Sequence, residues 1–178
     1  MSRTNPGKKK RRAAGKTILV YGEGLSEEVF LKHLRSLYSF NTNVAVTIRR
    51  GKGGTADGLV LHTSRALGAF SRRCVLLDND KGKSEMKRAR ALCVEKKIEI
   101  FENFPCLEAI LLSILSNGAS FSSKSSPWCK KEFESKHISG KNRGNLDMCK
   151  NKFPKSLLDR MRSKVPELNA LIKLMEGK

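Results

Sequence analysis

The chain has 178 residues, 39% of them hydrophobic and 30% charged, and a formal net charge of +19. That length suits one domain with a full core and a small appendage, and the apolar content excludes a chain disordered throughout. No apolar run approaches the length of a bilayer span and residues 1–16 contain no apolar h-region, so a soluble, cytoplasmic protein without a membrane partner is expected.

Arg3, Lys8, Lys9, Lys10, Arg11, Arg12 and Lys16 supply seven positive charges with no acid among them, and removing these seven from +19 leaves +12 on the remainder. Both tail and body are basic. A polyanion is the natural partner, with nucleic acid (DNA or RNA) the commonest; a membrane surface or plain solvation are the rival readings. Charge alone carries no sequence preference. Residues 1–15 lack periodicity and read as a disordered basic arm, fit to reach a phosphate backbone, to aid solubility, or to act as a nuclear-localisation signal.

Beyond the arm, strands and helices alternate. Residues 17–21 read as a buried strand, continuous in apolar and β-branched side chains. Ser26 suits a helix cap, with Glu27 and Glu28 in the first turn and Phe30, Leu34 and Leu37 or Tyr38 as the inward stripe. Residues 44–48 form a second strand. A glycine-rich loop, 51–54, leads to Thr55 as a cap, with Leu59, Thr63, Ala66 and Phe70 on one helical face. Residues 74–77 are a third strand, 84–96 a helix, 98–101 a short fourth strand and 106–115 a strongly apolar helix. This alternation predicts an α/β fold: a four-stranded, mainly parallel sheet in a three-layer sandwich.

The region after residue 117 differs. Serine-rich 117–127 reads as a surface loop, and 128–153 is basic, with Gly140 and Gly144 near its middle. Residues 155–175 carry a helical stripe of Leu157, Leu158, Met161, Val165, Leu168, Leu171 and Met175, with Pro166 marking a break or a new start. The expected division is an arm (1–15), an α/β domain (16–117) and a basic, helical C-terminal extension (118–178) covering the sheet edge. The leucine stripe suits either that core or a second copy of the chain.

The five cysteines, Cys74, Cys93, Cys106, Cys129 and Cys149, are odd in number and form no Cys-x-x-Cys pair. The first three lie in apolar runs and read as core. A zinc site from Cys129, His137 and Cys149 matches no familiar spacing, and a reducing compartment accounts for them all. His33, His62 and His137 are isolated from one another and read as packing or surface residues. Tyr21 and Tyr38 fall within a strand and a helix, where neither suits a nucleophile. With one tryptophan and two tyrosines, a base-stacking RRM or OB-type module is disfavoured.

Acidic residues stand where two apolar strands end. Glu23 follows Ile18-Leu19-Val20-Tyr21-Gly22, and Asp78-Asn79-Asp80 follows Val75-Leu76-Leu77. Parallel sheets bind ligands beyond the carboxyl ends of their strands, and alternate residues such as Asp78 and Asp80 lean from one face. Mg²⁺ and Mn²⁺ take oxygen ligands, so two or three carboxylates and a substrate phosphate suffice to hold one. Taken alone, Asp78-Asn79-Asp80 is also an ordinary turn. Gly51-Lys52-Gly53-Gly54-Thr55 has the flavour of a phosphate cradle without Walker A spacing, and reads better as a loop contacting a nucleic-acid backbone.

Glu-Gly after the first strand and Asp-x-Asp after a later one resemble the TOPRIM fold. Glu23-Gly24-Leu25-Ser26-Glu27 is similar to the EG-x-(S/T)-E signature of OLD-type and RloB-like TOPRIM nucleases. Asn103-Phe104-Pro105-Cys106-Leu107-Glu108 resembles the RloB-like Asn-Pro-Cys-Phe-Glu segment, with Phe104 inserted and Leu107 in place of Phe. The resemblance spans residues 17–115 and, more loosely, the Lys/Gly stretch beyond. It implies a metal-dependent endonuclease cutting phosphodiesters, often in defence against phage and beside a partner ATPase or other defence subunit. It also implies Glu23 as metal ligand or general base, Asp78 and Asp80 as metal ligands, and Glu27 and Glu108 as acids for a second cation. Glu27 and Glu108 are equally what a helix first turn prefers. The resembling families often place a basic residue in the C-terminal part, for which Lys141 in Ser139-Gly140-Lys141-Asn142-Arg143 is the candidate; the rival reading is a solvated Lys141. Two rival readings remain: a non-catalytic nucleic-acid-binding subunit, and a response-regulator-like phosphoacceptor lacking its lysine-bearing fifth strand.

Overall fold

The computed structural model describes residues 15–40 and 42–178, so the expected basic arm lies almost wholly outside the described residues. The elements run β1 (Lys16–Gly22), α1 (Leu25–Tyr38), β2 (Val44–Arg50), α2 (Ala56–Ser64), β3 (Arg72–Asp78), α3 (Lys83–Glu95), β4 (Glu99–Asn103) and α4 (Leu107–Leu115). Then follow α5 (Ser126–Lys136), a 3-10 turn (Gly140–Asn142), α6 (Leu146–Lys152), α7 (Lys155–Met161) and α8 (Pro166–Met175). The four strands form one wholly parallel sheet in the order β2-β1-β3-β4. The α/β class, the four strands and the helical C-terminal region agree with the expectation.

Strand order dictates the layers. The β1-to-β2 connection runs one way across the sheet, while β2-to-β3 and β3-to-β4 run the other. Crossovers of one hand travelling in opposite directions put their helices on opposite faces. Accordingly, Ile18, Val20, Cys74 and Leu76 point into a core shared with α1 and with α4 to α8. Leu19, Tyr21, Val75 and Leu77, the alternate residues, point into a second core with α2 and α3. Each buried Leu, Ile or Phe in these layers contributes about 1.5–3 kcal/mol relative to exposure.

Local starts and stops explain the differences from expectation. Helix α1 begins one residue before Ser26, with Gly24 as its cap, because Glu27 reaches back to accept the Gly24 N–H at 2.9 Å. Thr55 does cap α2, its hydroxyl accepting the Gly58 N–H at 3.2 Å, yet the helix stops at Ser64; Ala66 and Phe70 pack on the same core from the loop. Gly22 is required by packing: a Cβ there would meet the Glu27 Cβ at 2.7 Å, so glycine lets α1 close onto β1.

The C-terminal region covers a face rather than only an edge. Leu158, Met161, Val165, Leu168, Leu171 and Met175 are buried in the α1-side core, so the leucine stripe packs on its own chain, and Pro166 opens α8. Two helices, α5 and α6, occupy the basic stretch 128–153, which carries no clear periodicity of its own. All five cysteines are buried and free. Among the described residues no helix is long and apolar enough to cross a membrane.

Candidate active site

The sheet's switch point lies between β1 and β3, where connections depart in opposite directions. Register brings the acids to it. Gly22 pairs with Leu76, so Glu23 stands one step further, at the end of β3. Its Oε2 accepts a long hydrogen bond, 3.4 Å, from the Asp78 N–H, and its Oε1 pairs with Lys81 at 2.8 Å.

Asp78 is buried and held on both sides. Its Oδ1 accepts from Asn103 Nδ2 at 3.1 Å, across the β3–β4 pair that sets Asp78 opposite Asn103. The same oxygen accepts the Leu107 N–H at 3.0 Å, at the start of α4, where the helix dipole favours negative charge. Its Oδ2 lies 3.8 Å from Lys130 Nζ. Burial and then the charges of Glu27 and Glu108 push the Asp78 carboxyl up to about 8, against the opposing pull of Asn103 and Lys130.

Glu27 and Glu108 come from the first turns of α1 and α4, and both are buried. Burial raises the Glu27 carboxyl, and the charges of Glu108 and Glu23 raise it further, although backbone N–H groups at Glu27 and Gly24 resist. Glu108 Oε2 is buried without a hydrogen-bond partner. Asp80, more exposed, reaches Lys130 at 3.3 Å. Burial acts to lower the Lys130 ammonium, but Asp78, Asp80 and Glu108 outweigh it and hold the group above the ordinary lysine range.

These side chains surround a cleft of about 250 Å³ lined by Glu23, Glu27, Asp78, Glu108, Lys130 and Arg143, among others. The structure thus brings together Glu23, Glu27, Asp78 and Glu108, with Asp80 joined to them through Lys130. It does not bring Lys141 to this lining. Lys141 is exposed on the 3-10 turn, while Arg143, two residues on, faces the acids. Lys130, Arg143 and Asn103 are the residues missed in sequence. For Lys130 the local signal is weak: Ser125 and Pro127 suit a helix start, but only Cys129 and Phe133, four residues apart, mark a buried face beyond it.

The donor set fits a hard divalent cation. Its atoms are all carboxylate oxygens, three of the carboxylates are buried beside one another, and one buried oxygen, Glu108 Oε2, has no partner of its own. Among the described residues no three His, Cys, Asp or Glu side chains are already grouped to hold a metal ion. Instead two ammonium groups on flexible stems, Lys81 and Lys130, sit against Glu23 and against the Asp78/Asp80 pair.

Other candidate residues are otherwise engaged. Cys129 and Cys149 are core residues, and His137 lies against Phe133. His33 Nε2 is 2.7 Å from the Phe153 carbonyl, and His62 meets Tyr21 edge-on. The Gly51–Thr55 loop does not present a free helix N-terminus, because Glu85 Oε1 accepts the Ala56 N–H at 2.7 Å. The chain matches no family model, no curated protein and no solved structure.

Proposed function

We propose that the protein is a divalent-metal-dependent nuclease hydrolysing phosphodiester bonds of nucleic acid, with Glu23, Asp78 and Asp80 as ligands of Mg²⁺ or Mn²⁺ and Glu27 and Glu108 serving a second ion. One observation carries this reading: acids distant in sequence converge at the switch point of a parallel sheet, around an unpaired buried Glu108 oxygen, in a chain of net charge +19. Bound cations would supply Lewis-acid polarisation of a phosphoryl oxygen and lower the pKa of water.

The chain's own groups supply the rest. Asn103 and the Leu107 N–H hold Asp78 Oδ1 in place, leaving Oδ2 facing the cleft. The Gly24 N–H does the same for Glu27 Oε2. Glu23, less buried than Glu27 or Asp78, offers Oε1 as the acceptor of a proton from attacking water once Lys81 moves aside. Lys130 and Arg143 place positive charge where a phosphodiester's negative oxygens would enter. A place in phage defence, beside an ATPase or another subunit, draws only on the motif resemblance.

The test is cleavage of plasmid, single-stranded DNA and structured RNA in Mg²⁺ or Mn²⁺, in EDTA, and with Asp78→Ala. Loss of cleavage in EDTA and in Asp78→Ala supports the reading, and cleavage that survives chelation defeats it. A non-catalytic nucleic-acid-binding subunit is the second reading, favoured by the lysine partners that Glu23, Asp78 and Asp80 already have. It requires salt-dependent binding, unchanged by Asp78→Ala, without turnover.

A further inference from the structure

A second groove, of about 550 Å³, begins where the acidic cleft ends. It is lined by Asn79, Lys81, Lys83, Met86, Arg90 and Phe104, and Lys81 is the residue bonded to Glu23. Its accessible apolar surface comes from Phe104, 50% exposed in the loop between β4 and α4, above Met86, which is packed in the core beneath. Its rim is cationic. Arg90 is held by Glu102 through two contacts of 2.7 Å, and Lys83 is exposed at the start of α3.

Phe104 is also the inserted residue in the Asn103–Glu108 segment. It lines a further hollow together with Phe121, whose ring stacks on Trp128 at 6.1 Å, and Lys124 sits over Trp128 at 5.3 Å. Exposed Phe104 thus lines both hollows, and the second also holds Phe121, stacked on Trp128 with Lys124 over it. Bases inside a duplex are stacked on one another and offer no free face, whereas an unpaired base can lie on an aromatic ring while lysines hold its phosphate. The groove's volume is that of a small-ligand site.

We infer that this groove seats one unpaired nucleotide of a single-stranded substrate, its base against Phe104 and its phosphate between Lys81 and Lys83. The inference rests on the nuclease reading for the substrate's class, but its test does not need cleavage. Fluorescence anisotropy in EDTA, at fixed salt, would compare a labelled oligothymidylate with a hairpin duplex of matched length whose loop is a non-nucleotide linker. Phe104→Ala is expected to weaken oligothymidylate binding about tenfold and to leave the hairpin within about twofold, while Phe104→Trp retains binding. Unchanged oligothymidylate affinity in Phe104→Ala, or an equal loss for the hairpin, overturns the assignment. Metal-dependent cleavage with unchanged Phe104→Ala binding removes the groove alone; selective loss of binding in a protein that never cleaves leaves the groove standing.

Discussion

Lys130 Nζ stands 3.3 Å from Asp80 Oδ2, joining α5 to the acids that close β3. It lies 3.8 Å from Asp78 Oδ2 as well, so one ammonium bridges both carboxylates. In the proposed reaction Lys130 turns to the phosphate once the acids are occupied. Removing one such electrostatic partner typically costs about 10²- to 10³-fold in kcat. Lys130→Ala is therefore expected to lower single-turnover cleavage by about that factor with a smaller change in KM, and Lys130→Arg to keep part of it. Lys141→Ala, away from the cleft, is expected to cleave nearly as the parent does. Equal losses in the two alanine variants would remove Lys130 from the chemistry.

Asp78 makes the stability of the chain depend on pH in an unusual direction. Its carboxyl titrates at about 8 in the folded chain against an ordinary value of 3.8. Between those values the folded state binds more protons than the unfolded state. The favourable contribution is thus fully present below pH about 4 and is lost as pH rises to about 8. Asp78→Asn keeps an oxygen for Asn103 and Leu107 and carries no charge. In EDTA it is expected to raise the melting temperature by several degrees at pH 9 and by less at pH 6, measured by calorimetry. A shift of equal size at both pH values contradicts the placement of that charge.

The acids were legible because their signal is local. An apolar, β-branched run ending in Glu23-Gly24, and another ending in Asp78-Asn79-Asp80, say both that a strand is present and that carboxylates stand at its mouth; parallel pairing does the rest. Lys130 is different. It is one of 36 lysines and arginines, and it follows a serine-rich stretch that reads as loop. Its helix buries only Ser126, Cys129 and Phe133, too narrow a stripe to stand out from its charged neighbours. Nor does Asn103 announce itself: its bond to Asp78 depends on which strand lies beside β3, and that is a property of the sheet order. Lys141 lies on the 3-10 turn and Arg143 caps it; of the two, Arg143 lines the cleft, and a two-residue step on such a turn changes the direction faced.

Glu27 combines a structural and a proposed chemical duty, and two substitutions separate them. Glu27→Ala removes the acceptor for the Gly24 N–H and is expected to cost about 1 kcal/mol from the lost cap, partly offset by relief of a buried charge. Glu27→Gln keeps an acceptor and removes the charge, so it is expected to melt at or above the parent's temperature in EDTA. Both are expected to cleave poorly in Mg²⁺. A Glu27→Gln protein with full activity would confine Glu27 to capping α1.

Crystals soaked in Mn²⁺ and measured at a wavelength giving manganese anomalous scattering test the central claim most directly. The expected result is an anomalous peak roughly 2 Å from carboxylate oxygens of Glu23 and Asp78 or Asp80, with Lys81 and Lys130 displaced. Fully occupied Mn²⁺ sites elsewhere, with both lysines still seated on these acids, would contradict it.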